Sequence, residues 1–208
     1  MVQKHVGIMG GTFDPIHVGH LMISEKAYEQ LHLDKVLFIP SGNPPHKRKR
    51  SGRATDSQRI EMVSLAIQEN HHFELCLEEM QIHGYSFTYL TVEMLKSIHP
   101  DTEFYFIMGA DSLLDFENWR EPERICRAVK LAVAVRDYIQ AEKLQATVQH
   151  LREKFQADIT LIDSPNIEIS SEKLREWVVE SKSLRYFTPD SVYTYIKDHN
   201  IYKQLDFK

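Results

Sequence analysis

The sequence predicts an α/β protein: one domain spanning residues 1–208, built on a parallel β-sheet with helices on both faces and closing in a small helical portion over about 165–208. Three observations carry this expectation. Short runs rich in Val, Ile and Phe recur along the chain with the length of buried strands. Longer stretches with apolar residues at helical spacing separate them. The alternation favours parallel strands joined by helical crossovers, and sheets of that kind are covered on both sides.

Taken in order, the first strand is HVGIM (5–9), followed at once by Gly10 and Gly11. A helical pattern over 18–31 carries Leu21, Met22, Ala27, Tyr28 and Leu31, and KVLFIP (35–40) reads as the second strand. Residues 41–56, SGNPPHKRKRSGRATD, hold two glycines, two prolines and five Lys or Arg without any period. A connection of that length inside a compact domain is functional or disordered. Next comes a helix over 57–69 with Ile60, Val63, Ala66 and Ile67 on one stripe, then the strand FELCL (73–77) and a helix over 86–98. EFYFIM (103–108) and KLAVAV (130–135) are strands, 140–154 is helical, and DITLI (158–162) is the last strand. Two helices close the chain: SSEKLREWVVES, with Ser at the capping position, and PDSVYTYIKDHN, entered through Thr188-Pro189-Asp190. No internal repeat and no interdomain linker is visible.

Composition narrows the class of function. The chain is 42% hydrophobic and 26% charged, ordinary for a globular protein, with a formal net charge of -5. A net acidic chain argues against nucleic acid as partner, so an anionic ligand needs a local concentration of positive groups. Cys76 and Cys126 fall in no metal-spaced cluster and are too few for a disulfide framework, which fits a reducing compartment. No segment reaches the roughly 18 apolar residues that span a bilayer. The N-terminus lacks a signal-peptide pattern, so the expected location is cytoplasmic, without membrane contact.

The opening stretch GIMGGTFDPIHVGH (7–20) bears the chemistry. Gly10 and Gly11 follow the first strand, at the sheet edge where such folds bind ligands, and are expected to give a sharp turn and a close backbone approach. The spacing fits neither GxxxxGK[ST] nor GxGxxG. His17 and His20 lie around the start of the following helix, on one side of it. They suit paired donors to a phosphoryl group. A zinc site and two hydrogen-bonded structural histidines are the competing readings; HExxH is absent, and no third ligand has a convincing spacing.

GGTFDPIHVGH closely resembles the signature of the (H/T)xGH nucleotidyltransferases, with His17-Val18-Gly19-His20 as the motif. Within that superfamily the chain is similar to the bacterial nicotinate-nucleotide adenylyltransferases through IPSGNPPHK, YSFTYLTVEML, FIMGADSL, Trp119, ISSEKLR and VYTYIKDHNIY, over about residues 4–202. The resemblance implies a Rossmann-like nucleotidylyltransferase fold. It also implies transfer of AMP from ATP to nicotinate mononucleotide, giving deamido-NAD and pyrophosphate. A nucleotide phosphate is already anionic, so positioning and charge stabilisation suffice without a strong base. His20, with His17 beside it, is the expected catalytic group. No carboxylate cluster offers a protein-held metal, so Mg²⁺ is expected to arrive on the ATP phosphates.

The resemblance assigns further residues. Gly10, Gly11, Thr12, Gly109, Asp111, Ser170, Ser171 and Arg175 are implied at ATP, with Asp111 on ribose hydroxyls and the ISSEKLR hydroxyls on phosphates. Asn43, Lys47, Thr88, Trp119 and Arg136 are implied at the mononucleotide, with Trp119 stacked on the pyridine ring. Two positions depart from the family pattern: Glu172 stands where Thr is usual, and Phe87 where Tyr is usual. Plainer roles stand beside these: Ser170 as a helix cap, Asp111 as a helix N-terminal acid, Trp119 as packing, the basic run 46–50 as solvated charge. Trp177 is expected in the core, and Tyr105, His71, His72 and His83 are read as structural or surface residues. Nicotinamide mononucleotide or phosphopantetheine as acceptor, and a non-catalytic nucleotide sensor, are the alternative readings. The sequence leaves a homo-oligomer open.

Overall fold

A computed structural model describes residues 3–42, 52–81, 84–135, 141–165 and 167–203. Its centre is a six-stranded sheet: β1 (Lys4–Gly11), β2 (Lys35–Pro40), β3 (Phe73–Leu75), β4 (Thr102–Gly109), β5 (Lys130–Val135) and β6 (Ile159–Asp163), in the order β3-β2-β1-β4-β5-β6. β1, β4, β5 and β6 pair in parallel, with Ile8 opposite Phe106 and Met108 opposite Val133. β2 runs alongside β1 in the same sense, since Asp34 N–H donates to His5 O at one end and Ser41 N–H to Gly11 O at the other. The fold is thus α/β and Rossmann-like. Strand order reverses between β1 and β4, and in open sheets of this kind ligands bind beyond the carboxyl ends at that point.

The helices are α1 (Val18–Leu31), α2 (Asp56–Ile67), α3 (Thr88–Ile98), α4 (Ala110–Leu114), α5 (Pro122–Ala128), α6 (Ala141–Phe155), α7 (Ser171–Val179) and α8 (Asp190–Asp198). All six strands and the six long helices read from the sequence are present, with ends that move by a few residues. α4 and α5 went unread. Helices this short repeat an apolar period too few times to register, although Pro122 at the first helical position of α5 was an available start signal. Among the described residues, no helix is long and apolar enough to cross a membrane.

The chain packs as two compact units. The first comprises Met1–Gly10, Met22–Leu37 and Phe87–Asn166. Its core is the apolar strand interior: Val6, Ile8, Phe104, Ile107, Leu131 and Val133 are all buried. Gly7 lies close against this packing: a Cβ there would come within 2.9 Å of the side-chain ends of Ile107 and Leu33, which would have to shift. At the amino end of the strands, Glu103 accepts from Tyr105 Oη (2.6 Å) and Lys130 Nζ (2.8 Å). Burial and the Glu103 carboxylate push the Tyr105 phenol up to about 12. Tyr105, read as structural or surface, is buried at 8% exposure.

The second unit comprises Gly11–Leu21, Phe38–Ser86 and Ile167–Lys208. A chain of rings runs from Phe13 to Phe38 (6.0 Å between centroids) and on to Phe73 (4.9 Å). α2 is entered through a capping box, Thr55 with Gln58, and its buried face is Arg59, Met62, Val63 and Ile67. The expected stripe of Ile60, Val63, Ala66 and Ile67 is thus rotated to take in an arginine. α8 is docked in part by Ser191 Oγ donating to Leu65 O (3.0 Å). Its entry differs from expectation: Pro189 stands at the cap with no side-chain capping bond, and Thr188 is buried before it.

Candidate active site

Gly10 and Gly11 do not turn. Both remain within β1, and the positive-φ glycines among the described residues are Gly52 and Gly84. The turn falls two residues later, at Phe13, whose φ is 50° and whose ring is buried. The buried ring anchors the chain reversal that the glycines were expected to make. Packing alone does not call for glycine at position 10, where a Cβ would meet only the edge of Phe106 at 3.4 Å. Gly109 is clearer still. It caps α4 at the carboxyl end of β4 with φ -78°, and a Cβ there would meet nothing within 4 Å. Two glycines at the carboxyl ends of neighbouring strands therefore leave backbone bare without structural need.

The remaining candidates of the first unit lie close by in sequence. Asp111 is exposed in the first turn of α4. Trp119 is half-buried, its ring meeting Phe106 edge-on at 6.0 Å and Phe116 at 5.3 Å. Phe106 is the residue that Gly10 faces, so Trp119 stands on the ligand end of the sheet. Thr88 begins α3 and is half-buried. One turn on, Arg124 clamps Glu93 with two hydrogen bonds (2.8 and 2.6 Å) and lies 4.3 Å from the Tyr89 ring, fixing α3 against α5. Asn43, Lys47 and Arg136 lie outside the described residues, as does His83.

The histidine pair belongs wholly to the second unit. His17 precedes α1 and is 5% exposed; His20, in the first turn, is half-buried. Their rings stack with centroids 3.7 Å apart, and the edge of Phe13 meets His20 at 5.1 Å. His17 N–H donates to His20 Nδ1 (3.2 Å). An Nδ1 that accepts carries no proton, so the ring proton of neutral His20 sits on Nε2. A backbone amide thus assigns the tautomer and leaves Nε2–H as a donor. Among the described residues no group of three or more His, Cys, Asp or Glu could hold a metal ion, so the pair has no further ligand for zinc there.

Asp14 is the hub beneath this pair. Its side chain is 2% exposed, and Oδ1 accepts from Tyr202 Oη (2.8 Å) and Ala54 N–H (3.1 Å). Oδ2 faces Arg53 (3.4 Å) and Arg175 (3.8 Å). A buried carboxylate needs such company, because an unpaired one is prohibitively costly. Burial and the Asp14 charge raise the Tyr202 phenol well above its ordinary range, which keeps it a donor.

The ISSEKLR segment binds the same stretch. Ser171 Oγ donates to Pro15 O (2.9 Å), Arg175 donates to Asp14 O (2.6 Å), and Ile169 packs where a Cβ on Gly19 would come within 3.0 Å. Ser170 caps α7, accepting from Lys173 N–H (3.2 Å). Trp177 is half-buried rather than core, edge-on to Phe187 at 4.8 Å.

Two arginines that pin this region escaped the sequence reading. Arg59, 3% exposed, donates to Thr12 O and Ser41 O (2.7 Å each) and to Asp56 (2.9 Å), joining the ends of β1 and β2. Its signal was an arginine three and four residues before Met62 and Val63 on one helical face. Arg53, given no role in the 41–56 connection, is paired with Asp14. Asp14 itself carried only the signal of its place in the motif.

Comparison with known proteins identifies the family. The cytidylyltransferase-like family model matches residues 8–177. A protein of Lachnoclostridium phytofermentans, named probable nicotinate-nucleotide adenylyltransferase, is 42% identical over 96% of this chain and 100% of its own. One of Clostridium tetani with the same name is 39% identical over 97% and 100%. Among solved structures, Plasmodium falciparum nicotinic acid mononucleotide adenylyltransferase complexed with NaAD superposes with a TM-score of 0.77 at 21% identity, covering 96% of this chain and 97% of that one. At that identity the superposition establishes the fold alone. Matched by the family model over most of its length, and by full-length relatives at about two residues in five, the chain belongs to the cytidylyltransferase-like family and, within it, to the nicotinate-nucleotide adenylyltransferases.

Proposed function

We propose that the protein transfers the AMP group of ATP to nicotinate mononucleotide, forming deamido-NAD and pyrophosphate. The mononucleotide phosphate oxygen attacks the α-phosphorus of ATP, the new P–O bond forms, and the bond to the β-phosphate oxygen breaks in line with it. Pyrophosphate leaves with the electron pair. The attacking oxygen is already anionic, so no protein base is required. Mg²⁺ would arrive with ATP as the MgATP substrate and would supply positive charge against its phosphates.

One observation carries the reading: His17 N–H fixes the tautomer of His20 so that Nε2–H is offered as a donor. A preoriented donor of this kind stabilises charge that grows on the α-phosphoryl oxygens and costs no reorganisation during the reaction. His17 is proposed beside it on the same phosphates. The bare backbones of Gly10 and Gly109 admit the nucleotide closely, with Gly11 and Thr12 following along the phosphates and Asp111 on the ribose. Ser170 and Arg175 are assigned to ATP at the start of α7 and one turn on. Ser171 shares that assignment, although its hydroxyl donates to Pro15 O here, which leaves it an acceptor and shifts any phosphate contact to backbone N–H groups. Trp119 and Thr88 are assigned to the pyridine end; Asn43, Lys47 and Arg136 complete the mononucleotide set by resemblance. A cytoplasmic location accords with two free cysteines.

The test is product identity. Incubation with MgATP and nicotinate mononucleotide, with nicotinamide mononucleotide in parallel, is expected to yield pyrophosphate and deamido-NAD by mass spectrometry, with the amide turned over poorly. Equal use of both acceptors contradicts the proposed specificity, and no product from either contradicts the acceptor class.

A further inference from the structure

Tyr202 lies near the far end of the chain from the histidine motif, yet its hydroxyl reaches Asp14 Oδ1 at 2.8 Å, inside the second unit. Asp14 adjoins both features that orient His20. On one side is Phe13, whose ring edge meets the imidazole at 5.1 Å. On the other the chain runs through Pro15 to His17, whose N–H holds His20 Nδ1. Three further bonds pin this stretch: Arg175 to Asp14 O, Ser171 to Pro15 O and Ala54 N–H to Asp14 Oδ1. Ala54 binds the carboxylate itself, and Arg175 faces both the Asp14 carbonyl and the carboxylate at 3.8 Å, so a turn of the carboxylate disturbs both contacts. Tyr202 is 4% exposed, and its hydroxyl also meets the Met62 sulfur at 3.9 Å.

We infer that Tyr202 is a positioning residue: through Asp14 it holds the Phe13–His17 stretch so that His20 keeps one orientation and one tautomer. The inference deepens the proposed reaction and rests on it for its kinetic readout, but its spectroscopic readout does not. Without the hydroxyl, Oδ1 keeps one donor, and the carboxylate turns toward the Arg53 and Arg175 guanidiniums on its other oxygen. The backbone of Asp14 follows, and the His17 amide no longer meets Nδ1 squarely. Phenylalanine at the same place keeps the ring that packs and removes only the atom in question.

The test compares wild type with Tyr202→Phe, well below the unfolding temperature of either. One buried hydrogen bond displaced from the donor's support predicts a loss in kcat of about tenfold. Both KM values change less than kcat: that for the mononucleotide stays within about twofold, and that for ATP moves somewhat more because Arg175 is assigned to ATP. The histidine nitrogen NMR spectrum, with His20 assigned by its disappearance in His20→Gln, is expected to show separate protonated and unprotonated ring nitrogens in the wild type and signals drawn together in Tyr202→Phe. Unchanged kcat and unchanged His20 signals beside a lowered unfolding temperature would make Tyr202 merely structural and overturn the inference. Should the wild type release no pyrophosphate, the reaction assignment fails, and the nitrogen spectrum alone decides the positioning: merged signals uphold it, unaltered ones overturn it.

Discussion

Replacing Asp14 by asparagine tests the hub with little change of shape. The side chain is 2% exposed and sits between guanidiniums at 3.4 and 3.8 Å, with two further donors at 2.8 and 3.1 Å. Asp14→Asn keeps one acceptor oxygen, so Tyr202 and Ala54 can still share it. What disappears is the negative charge, and an amide NH₂ turns toward Arg53. Breaking a buried ion pair by removing one partner costs about 3–5 kcal/mol. Arg53 and Arg175 retain 21% and 12% of their side-chain exposure, so water relieves part of the loss. That places the cost near the lower end, about 3 kcal/mol. At about 2–4 °C per kcal/mol for a chain of this size, the unfolding temperature falls by about 6–12 °C. Thermal unfolding by circular dichroism at neutral pH reads this directly. A shift below about 2 °C, under the cost of a single exposed pair, would refute a charge-centred hub.

Gly109→Ala adds a methyl group where nothing lies within 4 Å, at a φ that alanine adopts freely, so the unfolding temperature should hold or rise slightly. The KM for ATP should rise severalfold; unchanged kinetics would mean that no ligand approaches that backbone. Arg59→Met keeps volume in α2 but strands Thr12 O and Ser41 O, and a loss of about 2–4 kcal/mol is expected in urea unfolding, with a neutral result denying that Arg59 ties β1 to β2. In alkali, burial holds the Cys76 thiol at about 12 and the Cys126 thiol at about 11, against an ordinary 9.0, while Tyr202 is raised well above 10.0. Raised folded values mean that the unfolded chain ionises first, so stability is whole below pH 9 and declines as pH climbs toward those values. A melting temperature that stays level from pH 9 to 11 would contradict this, and Cys76→Ala should flatten the first part of the decline.

What the sequence displayed and what it concealed follow from range. Strands such as KVLFIP and KLAVAV declare themselves by composition alone, and their alternation with helices α1, α2, α3 and α6 leads to the parallel sheet without any knowledge of contacts. The histidine pair was visible because its spacing is local. The hub was not: Asp14, Ala54, Arg175 and Tyr202 are joined by bonds that span up to 188 residues of chain, and no pattern within a window can reveal them. The glycine turn was misplaced for a related reason. Glycine permits a positive φ without requiring it, and the buried Phe13 ring moved the reversal two residues on. Arg59 stayed hidden because an arginine on an apolar stripe reads as an edge residue unless the carbonyls it serves, on Thr12 and Ser41, are already known.

The central claim is that His20 offers a fixed Nε2–H donor to the α-phosphoryl group during adenylyl transfer. It is tested most directly by steady-state pyrophosphate release from MgATP and nicotinate mononucleotide, wild type against His20→Ala. Loss of one preorganised donor predicts a fall in kcat of about 10²–10³, with a much smaller change in the KM for ATP. A variant that keeps kcat within about threefold of the wild type, or that loses rate only through a raised KM, would contradict the account.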